Sequence, residues 1–420
     1  MSPSNILFIK RRGQRHHALI TALEYVFMFI VLLEFNSVLL EIKGAGIFLS
    51  ILAFVVILIL CILRKHYVRF DSIVFILLLG SVLPLLNVYP GSELSFVRIF
   101  VILLPLFLCY QKACKRENIF TLFNILLKFS NLVYFFAIVS LFYWIFATNL
   151  GVIKPTMMVP NDWGEFKFVP TYHFLYYEMQ TCAFMGYSTI RNSGMFEEGP
   201  MYNMVLCTSL LIELFLRTPY SKRRIIVLCI TIITTFTTTG FIFLMTITLY
   251  IYYRKTSGKN ILLKVLMVSS VLFVIYETST FIIEDKLSST EGSGEGSFNS
   301  RTQDIEECIA IGMNNPFLGQ GLFTKRLQQE DGGTYGFSNS LFTLFADGGI
   351  YTVSLYVMIF FLLPIWTLRK TRNTKWPFVL LFYFMLFTIT ISQYKLLTLW
   401  LLSFGLAMYW RDVPVSRNNE

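Results

Sequence analysis

The chain has 420 residues, of which 55% are hydrophobic, 17% are aromatic and only 14% are charged. A soluble domain carries about 25% charged residues, so this chain cannot cover itself with polar surface. The composition and the mean hydropathy of +0.63 exclude a soluble enzyme, a disordered chain and a nucleic-acid-binding protein. The net charge of +10 then indicates anchoring charges on the cytoplasmic side of a membrane.

Long apolar segments predict an all-α polytopic integral membrane protein with about 12 transmembrane helices and two long outer loops. A membrane-spanning helix takes about 20 residues, and apolar segments of about this length recur along the chain. The predicted spans are residues 18–40, 44–63, 71–89, 94–110, 129–149, 200–217, 225–238, 240–253, 261–283, 350–368, 376–393 and 395–410.

The basic residues predict the orientation of these spans. Lys10, Arg11, Arg12 and Arg15 precede the first span, which predicts a cytoplasmic N-terminus. If the spans then alternate, 25 of the 35 Lys and Arg residues fall on the cytoplasmic side, although the outer segments are much longer. The sequence therefore predicts a multi-pass protein of the plasma (inner) membrane, with both termini inside and an active site that faces outward.

Residues 225–253 test this topology, because basic residues flank both ends of the segment. A single helix would invert all later spans, whereas a hairpin broken near 239–240 keeps both ends inside. Each arm then has about 14 residues, or about 21 Å, which is shorter than the hydrocarbon core of about 30 Å. The tip must then be buried in protein or line a wet cleft, as at many binding sites. Two ordinary tilted helices joined by a tight turn are the alternative.

The predicted organisation has five parts. They are five N-terminal transmembrane helices in 1–149, a first outer loop in 150–199, transmembrane helices with the broken hairpin in 200–283, a second outer loop in 284–349, and C-terminal transmembrane helices with a cytoplasmic tail in 350–420. Within the second loop, Pro316 predicts the end of one helix, and Gly348-Gly349 predicts the end of another.

The outer face of a cell membrane has no nucleotide sugars, so an enzyme there needs a substrate that was activated inside and carried out on a lipid. Such lipids carry sugars on a diphosphate, and Arg binds phosphate through a planar, permanently charged fork. Arg98, Arg191 and Arg301 are the outward candidates. The alternatives are snorkelling to the headgroups for Arg98, a solvated loop charge for Arg191 and a surface charge at a helix end for Arg301.

The segment RNSGMFEEGPMYN carries the candidate catalytic residues. It places Arg191 ahead of the adjacent Glu197 and Glu198, and Gly199-Pro200 opens the sixth span. A cation suits a diphosphate leaving group, and a carboxylate suits the base that accepts a hydroxyl proton. The alternative is that both acids only favour the N-terminus of a helix that begins at Pro200.

Four segments, in this order, resemble the Wzy-type polysaccharide polymerases and the O-antigen ligase-like superfamily: RNSGMFEEGP, FTTTGFIFLM, NNPFLGQGLF and SNSLFTLFADGGIY. The resemblance covers about residues 185–360. It implies transfer of a polyprenyl-diphosphate-linked glycan to a hydroxyl outside the plasma membrane. In ligases of this kind a His precedes the Asn of the last motif. This chain has Ser338-Asn339 there, which favours a polymerase.

Together, the residues and the resemblance predict that the protein polymerises lipid-linked oligosaccharide repeat units into surface polysaccharide, either capsule or O-antigen. The arginines hold the donor diphosphate, one Glu accepts the proton of the acceptor hydroxyl, and the hairpin tip and an Asn line the sugar site. The predicted substrate-binding residues are Arg98, Arg191, Arg301, Thr238, Thr239 and Asn339, and the predicted catalytic residues are Glu197 and Glu198.

Neither a metal nor another cofactor is predicted, because the outer acids form no Asp-x-Asp-type pattern. The predicted partners are polyprenyl-diphosphate-linked glycans and membrane lipid, with a flippase and a chain-length regulator as candidate protein partners and no nucleic acid. The alternative functions are an O-antigen ligase-like glycan transferase and a flippase or transporter for lipid-linked oligosaccharide. The halves of the chain differ and the predicted loops are long only outside, which is not typical of transporters.

Overall fold

The computed structural model describes residues 3–42, 44–64, 88, 92–161, 167–184, 187–255, 294–322, 339–371 and 374–409. Within these residues the chain is mostly helical. The helices are α1 Pro3–Leu33, α2 Ala45–Leu63, α3 Glu93–Glu117, α4 Ile119–Asn149, α5 Gly199–Phe215, α6 Lys222–Thr234, α7 Thr238–Lys255, α8 Gly294–Asn314, α9 Ser340–Lys370, α10 Trp376–Phe387 and α11 Leu396–Tyr409.

Several of these helices are long and apolar enough to cross a membrane. In the described part of the chain there are five: the segment His16–Leu33 of α1, together with α2, α3, α4 and α9. Four shorter apolar helices, α5, α7, α10 and α11, complete the bundle. The count of about 12 spans stays a prediction, and the predicted spans 71–89, apart from residue 88, and 261–283 lie outside the described residues.

The prediction of an all-α protein is wrong in residues 150–199, the predicted first outer loop, whose described residues form two small antiparallel sheets. Strands β1 (Met157–Asn161), β2 (Lys167–Tyr172) and β3 (Tyr176–Tyr177) form one sheet in that order. Strands β4 (Thr181–Phe184) and β5 (Tyr187–Ile190) form the other. The loop is rich in Thr, Tyr, Phe and Val, which favour strands, and its prolines disfavour helix.

The helix α5 lies at the centre of the second half of the bundle. It packs against α4, α6, α7 and α10, and almost every residue of it is buried. A helix that is apolar on all sides is typical of a buried position. In the first half, Trp400 of α11 packs on Phe27 and Phe107, with ring centroids 4.9 and 5.3 Å apart, and so joins α1, α3 and α11.

Two buried acids hold the cations at one end of the bundle. Glu24 of α1 accepts hydrogen bonds from Arg64 over 2.6 Å and from Lys128. Glu213 of α5, which is 0% exposed, pairs with Arg217 over 2.5 Å and with Arg224 over 3.0 Å.

We call the end of the bundle that carries Arg64, Arg217 and Arg224 the basic end. The opposite end, where the predicted first outer loop packs on the helices, is the loop end.

The helix break between α6 and α7 lies at 235–237, a few residues before the predicted position near 239–240. Thr237 immediately precedes α7, and its Oγ1 accepts a hydrogen bond from the backbone N–H of Gly240 over 3.2 Å. Gly240 does not form the predicted break but lies inside α7. A Cβ at this position would lie 2.6 Å from Oδ1 of Asn203, so Gly240 allows α7 to approach α5 closely. The break is buried at the loop end, since Asn192 donates its backbone N–H to the carbonyl of Thr234 over 3.0 Å.

Candidate functional site

The segment 191–198 is largely buried and is hydrogen-bonded both to the residues that follow α1 and to the end of α6. Its backbone pairs with residues 36–38: Val38 N–H donates to Met195 over 3.1 Å, and Glu197 N–H donates to Asn36 over 3.1 Å. The side chain of Asn192 donates to Oγ1 of Thr234 over 3.0 Å. These bonds fix the backbone on both sides of Glu197, so its carboxyl group has a defined position.

Glu197 is 5% exposed and lies among several charged groups. Burial raises the pKa of its carboxyl group to about 7, because the charged form is poorly solvated there, and Glu41 and Glu198 add to the rise. Lys395 opposes the rise by favouring the carboxylate. A carboxyl group with a pKa near 7 exists in both protonation states at neutral pH, as general acid–base catalysis requires.

Lys395 also faces Glu34, the residue that follows α1. Glu34 accepts the backbone N–H of Leu396 over 2.7 Å, and burial raises the pKa of its carboxyl group while Lys395 and Arg98 oppose the rise. Lys395 therefore acts electrostatically on both Glu34 and Glu197. Sequence analysis missed Glu34 and Lys395. The signal that could have found them is a single charge at the outer edge of an apolar span.

A cavity of about 200 Å³ opens beside these residues at the loop end. Its charged lining consists of Glu34, Arg98 and Lys395. Arg98 lies in a π-helical stretch, Val97–Leu103, and π-helical turns often occur at functional sites. Its Nε is buried and has no hydrogen-bond partner among the described residues. Because two cations and one carboxyl group line the cavity, its net charge is positive and suits an anion.

Arg191 lies next to Glu198 at the start of α5. Its backbone N–H donates to Gln180 over 2.9 Å, and Gln180 donates to Oε1 of Glu198 over 3.3 Å. Its Nε is buried and has no partner within the described part of the chain. A freely solvated loop arginine would not have a buried Nε, so this geometry argues against that alternative. The structure thus brings Arg191, Glu197 and Glu198 together.

The other predicted residues lie elsewhere or have structural contacts. Oδ1 of Asn339 caps α9 by accepting from the backbone N–H groups of Leu341 over 2.9 Å and Phe342 over 3.3 Å, and its amide donates to the carbonyl of Thr388. These contacts account for Asn339 without a substrate. Thr238 and Thr239 are half-buried in the first turn of α7. Arg301 lies in α8, and its side chain is outside the described part.

Two glycine-containing turns interlock in the described part of the predicted second outer loop. Gln320 N–H donates to Ala346 and Gly321 N–H donates to Asp347, each over 2.9 Å. A Cβ at Gly319 would lie 2.4 Å from the Asp347 carbonyl, and one at Gly349 would lie 2.5 Å from the backbone of Phe317. The helix α9 is kinked at Gly349, whose φ is 61°. Only glycine fits so close a crossing.

Asp347 connects these turns to the cavity. It is 4% exposed, and its Oδ2 accepts a hydrogen bond from Tyr394 over 2.8 Å. Tyr394 lines the cavity next to Lys395. Sequence analysis did not single out Asp347 or Tyr394, because nothing in the local pattern links two residues this far apart.

No three His, Cys, Asp or Glu residues in the described part of the chain are grouped so that they could hold a metal ion. The described chemistry of the site consists of arginine, lysine and carboxyl groups. Such a site recognises an anion through direct charge-assisted hydrogen bonds.

A bundle of apolar helices with a charged cavity at one end defines a multi-pass membrane protein. Residues 225–357, about a third of the chain, match the family model described as O-antigen ligase. This match confirms the resemblance to the O-antigen ligase-like superfamily and supports a glycan-related function at a membrane. It includes the break between α6 and α7, both glycine turns and Asp347. Neither a curated protein nor a solved structure matches the chain.

Proposed function

We propose that the protein polymerises polyprenyl-diphosphate-linked oligosaccharide repeat units into surface polysaccharide at the loop end, on the outer face of the plasma membrane. The observation that carries the proposal is the position of Lys395. It lines a cavity together with Glu34 and Arg98, and its charge favours the carboxylate of Glu197. A cationic cavity beside a carboxyl group of raised pKa suits a diphosphate donor and a hydroxyl acceptor.

In the proposed mechanism, Arg98 and Lys395 bind the donor diphosphate, and Arg191 approaches it from the start of α5. The oxygen of the acceptor hydroxyl forms a bond to the anomeric carbon of the donor sugar. The bond from that carbon to the phosphate oxygen breaks, and polyprenyl diphosphate leaves with the electron pair. Glu197 accepts the proton of the hydroxyl group. Gln180 positions Glu198 and the backbone of Arg191 through its hydrogen bonds to both.

A second candidate is the ligase reaction, in which the acceptor is a different carrier rather than another repeat unit. The description of the matched family favours it. The residue before Asn339 favours the polymerase, since Ser338 stands where such ligases have a His. The donor chemistry is the same in both reactions, so the two differ in what the acceptor site holds.

Deletion of the gene tests the proposal. If the protein is a polymerase, gels of surface polysaccharide lose the long polymer but retain the single repeat unit. Re-expression of the wild-type chain restores the polymer, whereas Glu197→Gln does not, although the variant accumulates in the membrane. If the single unit is no longer exported, a flippase activity replaces the proposal. If polymer forms but is not joined to its final carrier, the ligase reading replaces it.

The outward orientation of the loop end needs a separate test. In a background without the seven native cysteines, Lys154→Cys at the loop end and Tyr220→Cys at the basic end introduce exposed thiols. A membrane-impermeant maleimide should label position 154 in intact cells and position 220 only after permeabilisation. The reverse pattern would contradict the proposed orientation.

A further inference from the structure

An apolar groove of about 620 Å³ lies at the basic end, between α5, α6, α7 and the start of α10. Its walls include Leu214, Phe215, Ile225, Ile226, Tyr250 and Ile251. This volume is in the range of ligand pockets in general, which are lined mainly by apolar and aromatic side chains. The groove is at the opposite end of the bundle from the candidate active site.

The floor of the groove includes Phe215 and Tyr250, which form a preformed aromatic cluster with Phe378, a residue outside the lining. The rings of Phe215 and Tyr250 lie 5.5 Å apart, and Phe378 lies 4.8 Å from Tyr250 and 5.3 Å from Phe215. Rings at these separations pack favourably against one another. The shape of the floor therefore does not depend on an occupant.

Two lysines that pair with no acid in the described part of the chain line the groove. Lys222 and Lys375 both line it and are exposed, and neither side chain has a hydrogen bond or ion pair with any described residue. By contrast, the nearby Arg217 and Arg224 are both paired with the buried Glu213. Among the described residues that line this groove, the two lysines are thus the cations whose charge remains available.

The backbone adds to the positive potential at the same place. Lys222 is the first residue of α6, and Lys375 immediately precedes α10. Neither helix has a side-chain hydrogen bond at its N-cap or an acidic residue in its first turn. Helix N-termini carry partial positive charge, so the helix ends and the lysines favour an anion together.

We infer that this groove binds an anionic phospholipid of the leaflet at the basic end, with an acyl chain on the aromatic floor and the phosphate between Lys222 and Lys375. Basic pockets between helices on the cytoplasmic side of membrane proteins suit such headgroups. A zwitterionic lipid has the same acyl chains but no net charge to match the two lysines. The inference is independent of the proposed polymerase function.

Native mass spectrometry of the full chain in mild detergent tests the inference, with phosphatidylglycerol and phosphatidylcholine added in turn. The wild-type chain should retain phosphatidylglycerol preferentially. Each lysine near the surface is worth about fivefold in binding, so Lys222→Ala combined with Lys375→Ala should weaken phosphatidylglycerol binding about 30-fold. Phosphatidylcholine binding should change little.

Matched variants separate the groove from general charge and folding effects. Arg223→Ala combined with Lys370→Ala removes two exposed cations that do not line the groove, and should leave the preference intact. Ile251→Trp fills the groove and should weaken binding of both lipids. Ile233→Trp, on an exposed site of α6 outside the groove, should not.

Four results would overturn the inference. Equal retention of the two lipids would show that charge does not matter. Unchanged binding in the double lysine variant would place the lipid elsewhere. A photocrosslinking residue at position 226 that joins to the predicted span 261–283 instead of to lipid, or displacement of the phospholipid by a tenfold lower concentration of polyprenyl phosphate, would assign the groove to a different occupant.

Discussion

Glu34 accepts the backbone N–H of Leu396 over 2.7 Å, across 362 positions of sequence. This bond joins the end of α1 to the first residue of α11 and fixes the backbone beside Lys395. Because Lys395 acts on Glu197 as well as on Glu34, the contact between the first and last helices sets the charge environment of the candidate base. The following predictions depend on this arrangement and on the packing that supports it.

The rate of polymer formation should rise with pH through about 7, because Glu197 must be deprotonated to accept a proton and the pKa of its carboxyl group is raised to about 7. Lys395→Met removes a charge that lowers this pKa, so the midpoint of the profile should move to higher pH. Glu197→Gln should lower the rate about 100-fold or more at every pH. Purified protein in liposomes with a lipid-linked repeat unit provides the measurement. An unchanged midpoint in Lys395→Met would show that Lys395 does not affect the pKa of Glu197.

The same carboxyl group predicts a change in stability with the opposite sign. Its pKa in the folded chain, about 7, lies above the ordinary value of 4.5, so the folded state loses stability as pH rises from 4.5 through 7. Glu197→Gln does not titrate, so at pH 8 its free energy of unfolding should exceed that of wild type by up to roughly 3 kcal/mol. The variant should therefore melt at a higher temperature at this pH. The two should melt together at pH 4.5. Thermal unfolding in detergent, followed with a thiol-reactive dye at the buried Cys114, Cys207 and Cys308, tests this.

Arg191→Ala should abolish polymer while the protein accumulates normally. One lost charge-assisted contact to a diphosphate costs roughly 2–3 kcal/mol, or about 30- to 150-fold in rate. Arg191→Lys keeps the charge but loses the planar fork, so it should leave at most a trace of polymer. Arg223→Ala, at an exposed site of the basic end, is the control and should have normal activity. Polymer of wild-type length from Arg191→Ala would remove this residue from the site.

Gly349→Ala should destabilise the chain by about 3 kcal/mol or more, because its Cβ would lie 2.5 Å from the backbone of Phe317. Gly151 is a matched control: its φ is 63°, close to the 61° of Gly349, but nothing lies within 4 Å of its Cβ position. Gly151→Ala should therefore cost roughly 1 kcal/mol, which is the backbone strain alone. Membrane accumulation and melting temperature distinguish the two. Equal effects would mean that the interlocked turns contribute nothing beyond strain.

Glu213→Ala should cost about 3–5 kcal/mol, because it leaves Arg217 and Arg224 without their shared buried carboxylate. Glu117→Ala is the comparison. Glu117 is 41% exposed, and its partner Arg64 keeps a second acid, Glu24, over 2.6 Å. That variant should cost less than about 1 kcal/mol. Melting temperatures in detergent give both values, and a small loss in Glu213→Ala would show that water replaces the carboxylate.

The sequence alone was sufficient for the membrane class, for most helix positions and for the resemblance to the O-antigen ligase-like superfamily. Each of these depends on local composition or on a short motif. The apolar runs predicted α2, α5 and α7 because a helix in lipid must be apolar over its length. The same reasoning failed in residues 157–190, where strand-forming residues were not weighed against the expectation of an irregular loop.

The candidate site shows where such reasoning stops. Glu197, Glu198 and Arg191 lie within eight positions of one another, so the sequence could place them together. Glu34 comes from the opposite end of the chain to Tyr394 and Lys395, and none of the three carries a motif. Only the packing of α1 against α11 shows that they line one cavity and that Lys395 acts on Glu197. The raised pKa of Glu197 likewise depends on burial, which is a property of the folded chain and not of the residue type. The sequence determined which chemical groups are present at the loop end of the bundle. The tertiary structure decided which of them share one cavity, because proximity between distant residues arises only from packing.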